Sequence, residues 1–100
     1  MNNTEKLSNM LGLAQRAGKL ISGEELVIKA VQSGQARLVF LANDAGSNVT
    51  KKTTDKCNYY NIEVSTEFNA LELSMAIGKP RKTVAVVDAG FSKKMRTLME

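Results

Sequence analysis

The chain has 100 residues, with 14 Lys and Arg against 10 Asp and Glu, a net charge of +4, one Cys, no His and no Trp. That length predicts a single domain over 1–100, and an apolar content of 43 % suits a folded core rather than a disordered chain. A lone cysteine excludes an internal disulfide, and the missing histidines exclude Ser-His and Cys-His dyads and any zinc cluster, so neither a metal nor another cofactor is expected.

The basic balance tilts the expected partners towards polyanions. The start, Met1–Glu5, lacks a basic segment followed by an apolar one, and the longest apolar run, Leu38–Ala42, is far shorter than the roughly 20 residues of a bilayer span. The expected compartment is the cytoplasm, with no membrane partner.

Between Thr4 and Ala17, apolar residues fall at Leu7, Met10, Leu11, Ala14 and Ala17, the spacing of one helical face, with Thr4 placed to cap the helix and Gly18 to stop it. A short extended piece at Lys19–Ile21 leads to Ser22-Gly23-Glu24-Glu25, an S-x-x-E capping box. It opens a second helix running through Leu26, Val27, Ala30 and Val31 to Gly34. Leu38–Ala42 is continuously apolar, which suits a strand covered on both faces. The polar turn Asn43–Ser47, in which Asp44 fits an Asx-turn, precedes a third helix at Asn48–Tyr60 with Val49, Thr53, Cys57 and Tyr60 on one side. A weak strand at Ile62–Val64 follows, then a fourth helix at Asn69–Ile77 with Asn69 and Glu72 as capping partners. A second buried strand, Thr83–Val87, and a last helix, Gly90–Leu98, complete the chain. Strands alternating with helices predict a small, mostly parallel sheet between helical layers: the fold class is α/β, a three-layer α/β/α sandwich of four strands.

Catalysis finds no support. Glu24 and Glu25 suit the positive end of a helix dipole, Cys57 on an apolar face reads as a small hydrophobe, and no glycine-rich phosphate fingerprint occurs. The protein is expected not to be an enzyme. Three basic clusters stand out: Lys51, Lys52 and Lys56; Lys79, Arg81 and Lys82; Lys93, Lys94 and Arg96. Each alone reads as a solvated face, and Lys29 lies four residues after Glu25, the spacing of a helix ion pair. Topology adds meaning, because loops at the carboxyl ends of parallel strands gather on one edge and bind ligands there. The second helix start and Asn43–Ser47 lie on that edge, whereas Gly78–Lys82 enters the last strand. It joins them only if that strand runs antiparallel, making the sheet mixed, and the pattern leaves this choice open.

The run Gly18–Val31 resembles the G-K-x-x-x-G-x-x-x-x-x-K-A signature of the kink-turn-binding ribosomal-protein family. Ser33–Ala45 is similar to that family's G-x-A-K/R-L-V-x-x-A-x-D stretch, and Leu73–Gly78 to its L-G-x-A-x-G segment. The resemblance extends from Leu7 to Phe91 and is closest to the short bacterial YlxQ-like branch, including the block Thr54–Tyr60.

This resemblance implies a four-stranded mixed sheet in the sandwich, and three segments converging on structured RNA: the second helix start, the loop after the second strand and the loop before the last strand. The family's target is a kink-turn, a bulge beside tandem sheared G·A pairs with the stems folded sharply together. The implied RNA-binding residues are Lys19, Gly23, Glu24, Glu25 and Lys29 around the helix, Asn43 and Asp44 in the turn, and Lys79 and Arg81 in the last loop. At the places of Glu25 and Leu26 the well-known members carry polar residues, and the last loop, here Lys79-Pro80-Arg81-Lys82, is apolar in them. Basic residues there shift the balance from packing on a flipped base towards backbone attraction. The expected function is non-catalytic binding of kink-turn or internal-loop RNA, ribosomal RNA included, by a monomer. The alternative is a protein–protein adaptor in translation or transcription, which the substitutions at Glu25 and Leu26 favour.

Overall fold

The computed structural model describes residues 1–100, in the order α1 (Asn3–Arg16), β1 (Leu20–Ser22), α2 (Glu24–Gln32), β2 (Leu38–Leu41), α3 (Ser47–Tyr59), β3 (Val64–Ser65), α4 (Ala70–Ile77), β4 (Thr83–Val86) and α5 (Ala89–Met99). The expected alternation is present, and Asn69 and Glu72 form the anticipated capping box of α4, closed behind by Gly78 at φ 84°. Helix α1 starts earlier than expected. Asn2, not Thr4, is its cap, because Glu5 stands three residues on and returns the bond to the Asn2 backbone. A cap at Thr4 would have had Leu7 in that reciprocal place.

The sheet is mixed, with strand order β1-β4-β2-β3. Strand β4 runs antiparallel to both β1 and β2, and only β2 and β3 are parallel, so the expectation of a mostly parallel sheet is corrected. The choice left open by the sequence is thereby made: the start of β4 lies beside the ends of β1 and β2, with Ser22 opposite Val84 and Leu41 opposite Thr83.

Alternation along the central strands divides the interior into two apolar layers. Leu38, Phe40, Val84 and Val86 meet Leu7, Leu11 and Ala14 of α1, Leu73 and Ile77 of α4 and Met95 of α5. Val39 and Ala85 face the other way, against Val27, Ala30 and Val31 of α2 and Cys57 of α3. Tyr60 stays outside this core, unlike Thr53 and Cys57, because it lies past the end of α3 as its C-cap. Leu26 is 57 % exposed, while Ile28 takes the inward place. No helix is long and apolar enough to cross a membrane.

Candidate nucleic-acid interface

The start of α2 differs from its expected form. Ser22 is the last residue of β1, paired with Val84, and its hydroxyl accepts from Nε of Arg81 at 3.1 Å instead of capping the helix. The cap is Gly23, with φ 99° and ψ 144° and no side-chain cap, a backbone conformation that side chains with a Cβ rarely adopt. The Gly23 N–H donates to the Thr83 carbonyl at 3.1 Å, fastening the entry of α2 to the first residue of β4. The first helical bond runs from the Val27 N–H to the Gly23 carbonyl, so the N–H groups of Glu24, Glu25 and Leu26 face outward with no protein acceptor.

The loop before β4 is held from two sides. Ser74 of α4 donates its hydroxyl to the Arg81 carbonyl at 3.1 Å and accepts from the Arg81 N–H at 3.0 Å. Arg81 also donates from Nη1 to the Pro80 carbonyl at 2.7 Å, which fixes the direction of the guanidinium. On the far side, the Ala42 N–H donates to the Lys82 carbonyl at 2.9 Å, tying this loop to the exit of β2.

Asn43 and Asp44 serve as ties. The Asn43 N–H donates to the Phe68 carbonyl at 2.9 Å and its side-chain amide to the Thr66 carbonyl at 3.2 Å. The Asp44 carboxylate accepts from the Ala70 N–H at 2.8 Å, so it caps α4 from 26 residues away and does not close an Asx-turn in its own loop.

Three segments therefore meet at one edge of the sheet, around a cleft of about 500 Å³ lined by Glu24, Val49, Leu71, Pro80, Arg81 and Lys82 among others. Glu24 faces Lys52 of α3, with Oε1 and Nζ 3.5 Å apart, so one of the two acids at this edge carries its own counterion. Glu25 and Lys29 do not form the expected ion pair; both stay exposed on the outward side of α2, consistent with the small gain of a surface pair. Lys79 closes the C-terminal turn of α4, its N–H donating to the Ser74 carbonyl at 3.2 Å.

Lys19 stands apart. Its carbonyl accepts from the Val87 N–H, at the end of β4, whereas Gly23 bonds to Thr83 at that strand's beginning. About 13 Å of strand separates the two levels, so Lys19 belongs to the opposite edge and not to this group. Sequence reasoning gave Ser22 a capping role, read Lys52 as part of a solvated cluster and passed over Ser74, because the partners of all three lie on other elements. For Ser74 the usable signal was a hydroxyl three residues before the buried end of a helix, Ile77, whose following loop needs anchoring. Cys57 has the packing role expected of it: burial pushes its thiol from 9.0 up to about 11, which keeps it protonated and unreactive.

The geometry defines an α/β/α sandwich with a loop-built edge that offers free helix N–H groups, a guanidinium held in place, neighbouring lysines and a concave apolar wall. Residues 5–96 match the ribosomal protein L7Ae/L30e/S12e/Gadd45 family, and the chain belongs to that family. It is similar to the RNA-binding protein YlxQ of Enterococcus faecium, with 48 % identity over 98 residues covering 98 % of this chain and 95 % of the relative. A solved protein of unknown function from Bacillus halodurans C superposes with a TM-score of 0.90 at 49 % identity, covering 94 % of this chain and 96 % of the other. The Giardia lamblia 15.5kD RNA binding protein shares the fold, with a TM-score of 0.78 at 16 % identity over 96 % of this chain and 83 % of its own.

Proposed function

We propose that this protein binds RNA without catalysis and recognises a kink-turn or a similar internal loop through the edge where α2, the β2–α3 loop and the α4–β4 loop meet. The observation that carries this reading is the uncapped start of α2, held by the Gly23–Thr83 bond beside the Ser22–Arg81 clamp. Free N–H groups at a helix start donate to phosphate or base oxygens, and the dipole favours anions there. Gly23 lets the RNA backbone approach closely, and Lys29, Lys79, Arg81 and Lys82 supply the cations. Asn43 and Asp44 position the edge through their ties to the β3–α4 connection.

The two acids are compatible with an RNA surface. Glu24 is countered by Lys52, and Glu25, exposed at the second helical position, accepts from base amino groups at sheared pairs, where a fold lacking base-edge readout would only repel. The same name, RNA-binding protein, on a relative that is 48 % identical supports the reading, and membership of a ribosomal-protein family makes ribosomal RNA the first natural source to test.

The test is a titration with a simple kink-turn RNA and with a version lacking its G·A pairs. Binding to the first at about 100 mM salt with loss on the second supports the reading; equal affinity for both, or none, removes it. A second reading, a protein–protein adaptor, is favoured by Leu26, Leu71 and Met75, which are 57 %, 69 % and 75 % exposed. The absorbance ratio at 260 and 280 nm of freshly purified protein separates the two, since nucleic acid carried through purification belongs to the first alone.

A further inference from the structure

Helix α3 carries a second surface that the fold itself does not explain. Tyr59 is 81 % exposed, and its ring meets that of Tyr60 edge-on at a centroid distance of 4.9 Å. Beside the pair lies a shallow depression of about 560 Å³ walled by Lys52, Asp55, Lys56, Tyr59 and Tyr60. Residues 52, 55, 56 and 59 share one helical face, which places Lys52, Asp55 and Lys56 in the turns leading to the ring of Tyr59.

Neither tyrosine is needed to end the helix. Asn61, in the left-handed region at φ 62°, makes that turn, with the Ile62 N–H donating to the Cys57 carbonyl at 2.8 Å. Of the charges, Asp55 is held by Lys51 at 2.9 Å and Lys52 faces Glu24, while Lys56 forms no ion pair. With Lys51 offset by Asp55 and Lys52 by Glu24, Lys56 leaves this face of α3 positive by one charge.

We propose that this face binds a single-stranded RNA segment, with a base stacked on Tyr59 and phosphates beside Lys52 and Lys56. The combination of an open aromatic ring with flanking ammonium groups matches the two needs of an unpaired strand, a stacking platform and backbone neutralisation. An acidic protein segment would use the lysines alone, and the walls of the depression offer no aliphatic side chain to anchor one. The surface is also continuous with the interface already described: Lys52 touches Glu24 in the first turn of α2, and Tyr59 lies about 10 Å further along α3. A strand leaving a kinked RNA bound at α2 therefore reaches the tyrosines within a few nucleotides. The proposal extends the RNA reading, but its test does not need the kinked motif.

Tyr59 and Tyr60 are the chain's only tyrosines and there is no tryptophan, so intrinsic tyrosine emission reports on this surface alone. Titration with an oligoadenylate of about eight nucleotides is expected to quench that emission saturably at low salt. Tyr59→Ala should weaken oligoadenylate binding, followed by anisotropy of a labelled strand, about tenfold, while leaving affinity for a minimal kink-turn RNA within about twofold. Lys56→Ala should weaken it less and flatten its salt dependence. Unchanged emission, wild-type binding by Tyr59→Ala, or equal quenching by polyglutamate would each overturn the proposal. If the minimal kink-turn binds while oligoadenylate does not, only the second surface falls; if oligoadenylate binds and the kink-turn does not, only the reading of the α2 edge falls.

Discussion

Arg81 donates from its guanidinium Nε to the hydroxyl of Ser22 across 3.1 Å, joining the loop that enters β4 to the end of β1, 59 residues earlier. This contact aims a cation at the start of α2, and Ser74 holds the same residue's backbone from the other side. Arg81→Ala is expected to weaken kink-turn RNA binding about tenfold and to flatten its salt dependence. Ser22→Ala keeps the charge and releases only its orientation, so a loss of about two- to fivefold should follow. Binding isotherms at several salt concentrations check both; equal losses would show that the hydroxyl, not the charge, is what matters.

Gly23 carries the turn into α2 at φ 99°, although a Cβ placed there would meet nothing nearer than the Arg81 Nε at 3.9 Å. The objection to a side chain is therefore conformational, not spatial. Gly23→Ala should destabilise the fold by about 1–3 kcal/mol, lowering Tm by about 4–8 °C for each kcal/mol in a domain of this size. A thermal melt followed by circular dichroism measures it.

Lys29 and Lys19 separate the two edges of the sheet. Lys29→Ala should weaken RNA binding and lower the salt slope by about one while Tm stays within a few degrees, since exposed substitutions cost about 0.5 kcal/mol or less. Lys19→Ala should leave both unchanged, because its carbonyl bonds Val87 at the far end of β4. A matched loss in the two variants would mean that attraction is spread over the whole molecule.

Cys57 gives a pH dependence with a defined sign. Burial raises its thiol from 9.0 to about 11, so between those values the unfolded chain releases the proton while the folded chain keeps it. The unfolded state then binds fewer protons, and stability present below pH 9.0 declines as pH rises towards about 11. Urea midpoints for the wild type and Cys57→Ala across that window should show the decline reduced in the variant. Native-state labelling by a thiol reagent at pH 8 should be slow and limited by opening of the fold, as expected for a thiol held protonated.

Much of the architecture was legible because its signals are local. The apolar runs Leu38–Ala42 and Thr83–Val87 mark the buried central strands, and Asn69 with Glu72 marks a helix start whose two partners lie within one turn. What was not legible depends on contacts distant in sequence. Ser22 has the local pattern of a cap, yet its backbone pairs with Val84 and its hydroxyl is taken by Arg81. Asp44 reads as a turn-former, yet its acceptor serves Ala70. The direction of β4 decides whether Arg81 reaches the α2 edge, and no periodicity of apolar residues encodes strand direction. Lys52 was one of three lysines on a solvated helix until the packing of α3 on α2 brought it to Glu24.

An amide chemical-shift map recorded with a kink-turn RNA reads out the proposed meeting of kinked RNA with one loop-built edge. The largest perturbations should fall on Glu24, Glu25 and Leu26, whose N–H groups lack protein acceptors, and on Lys79, Arg81 and Lys82, with Lys19 and α5 unmoved. Perturbations centred on α5 or around Lys19, with the start of α2 silent, would contradict it.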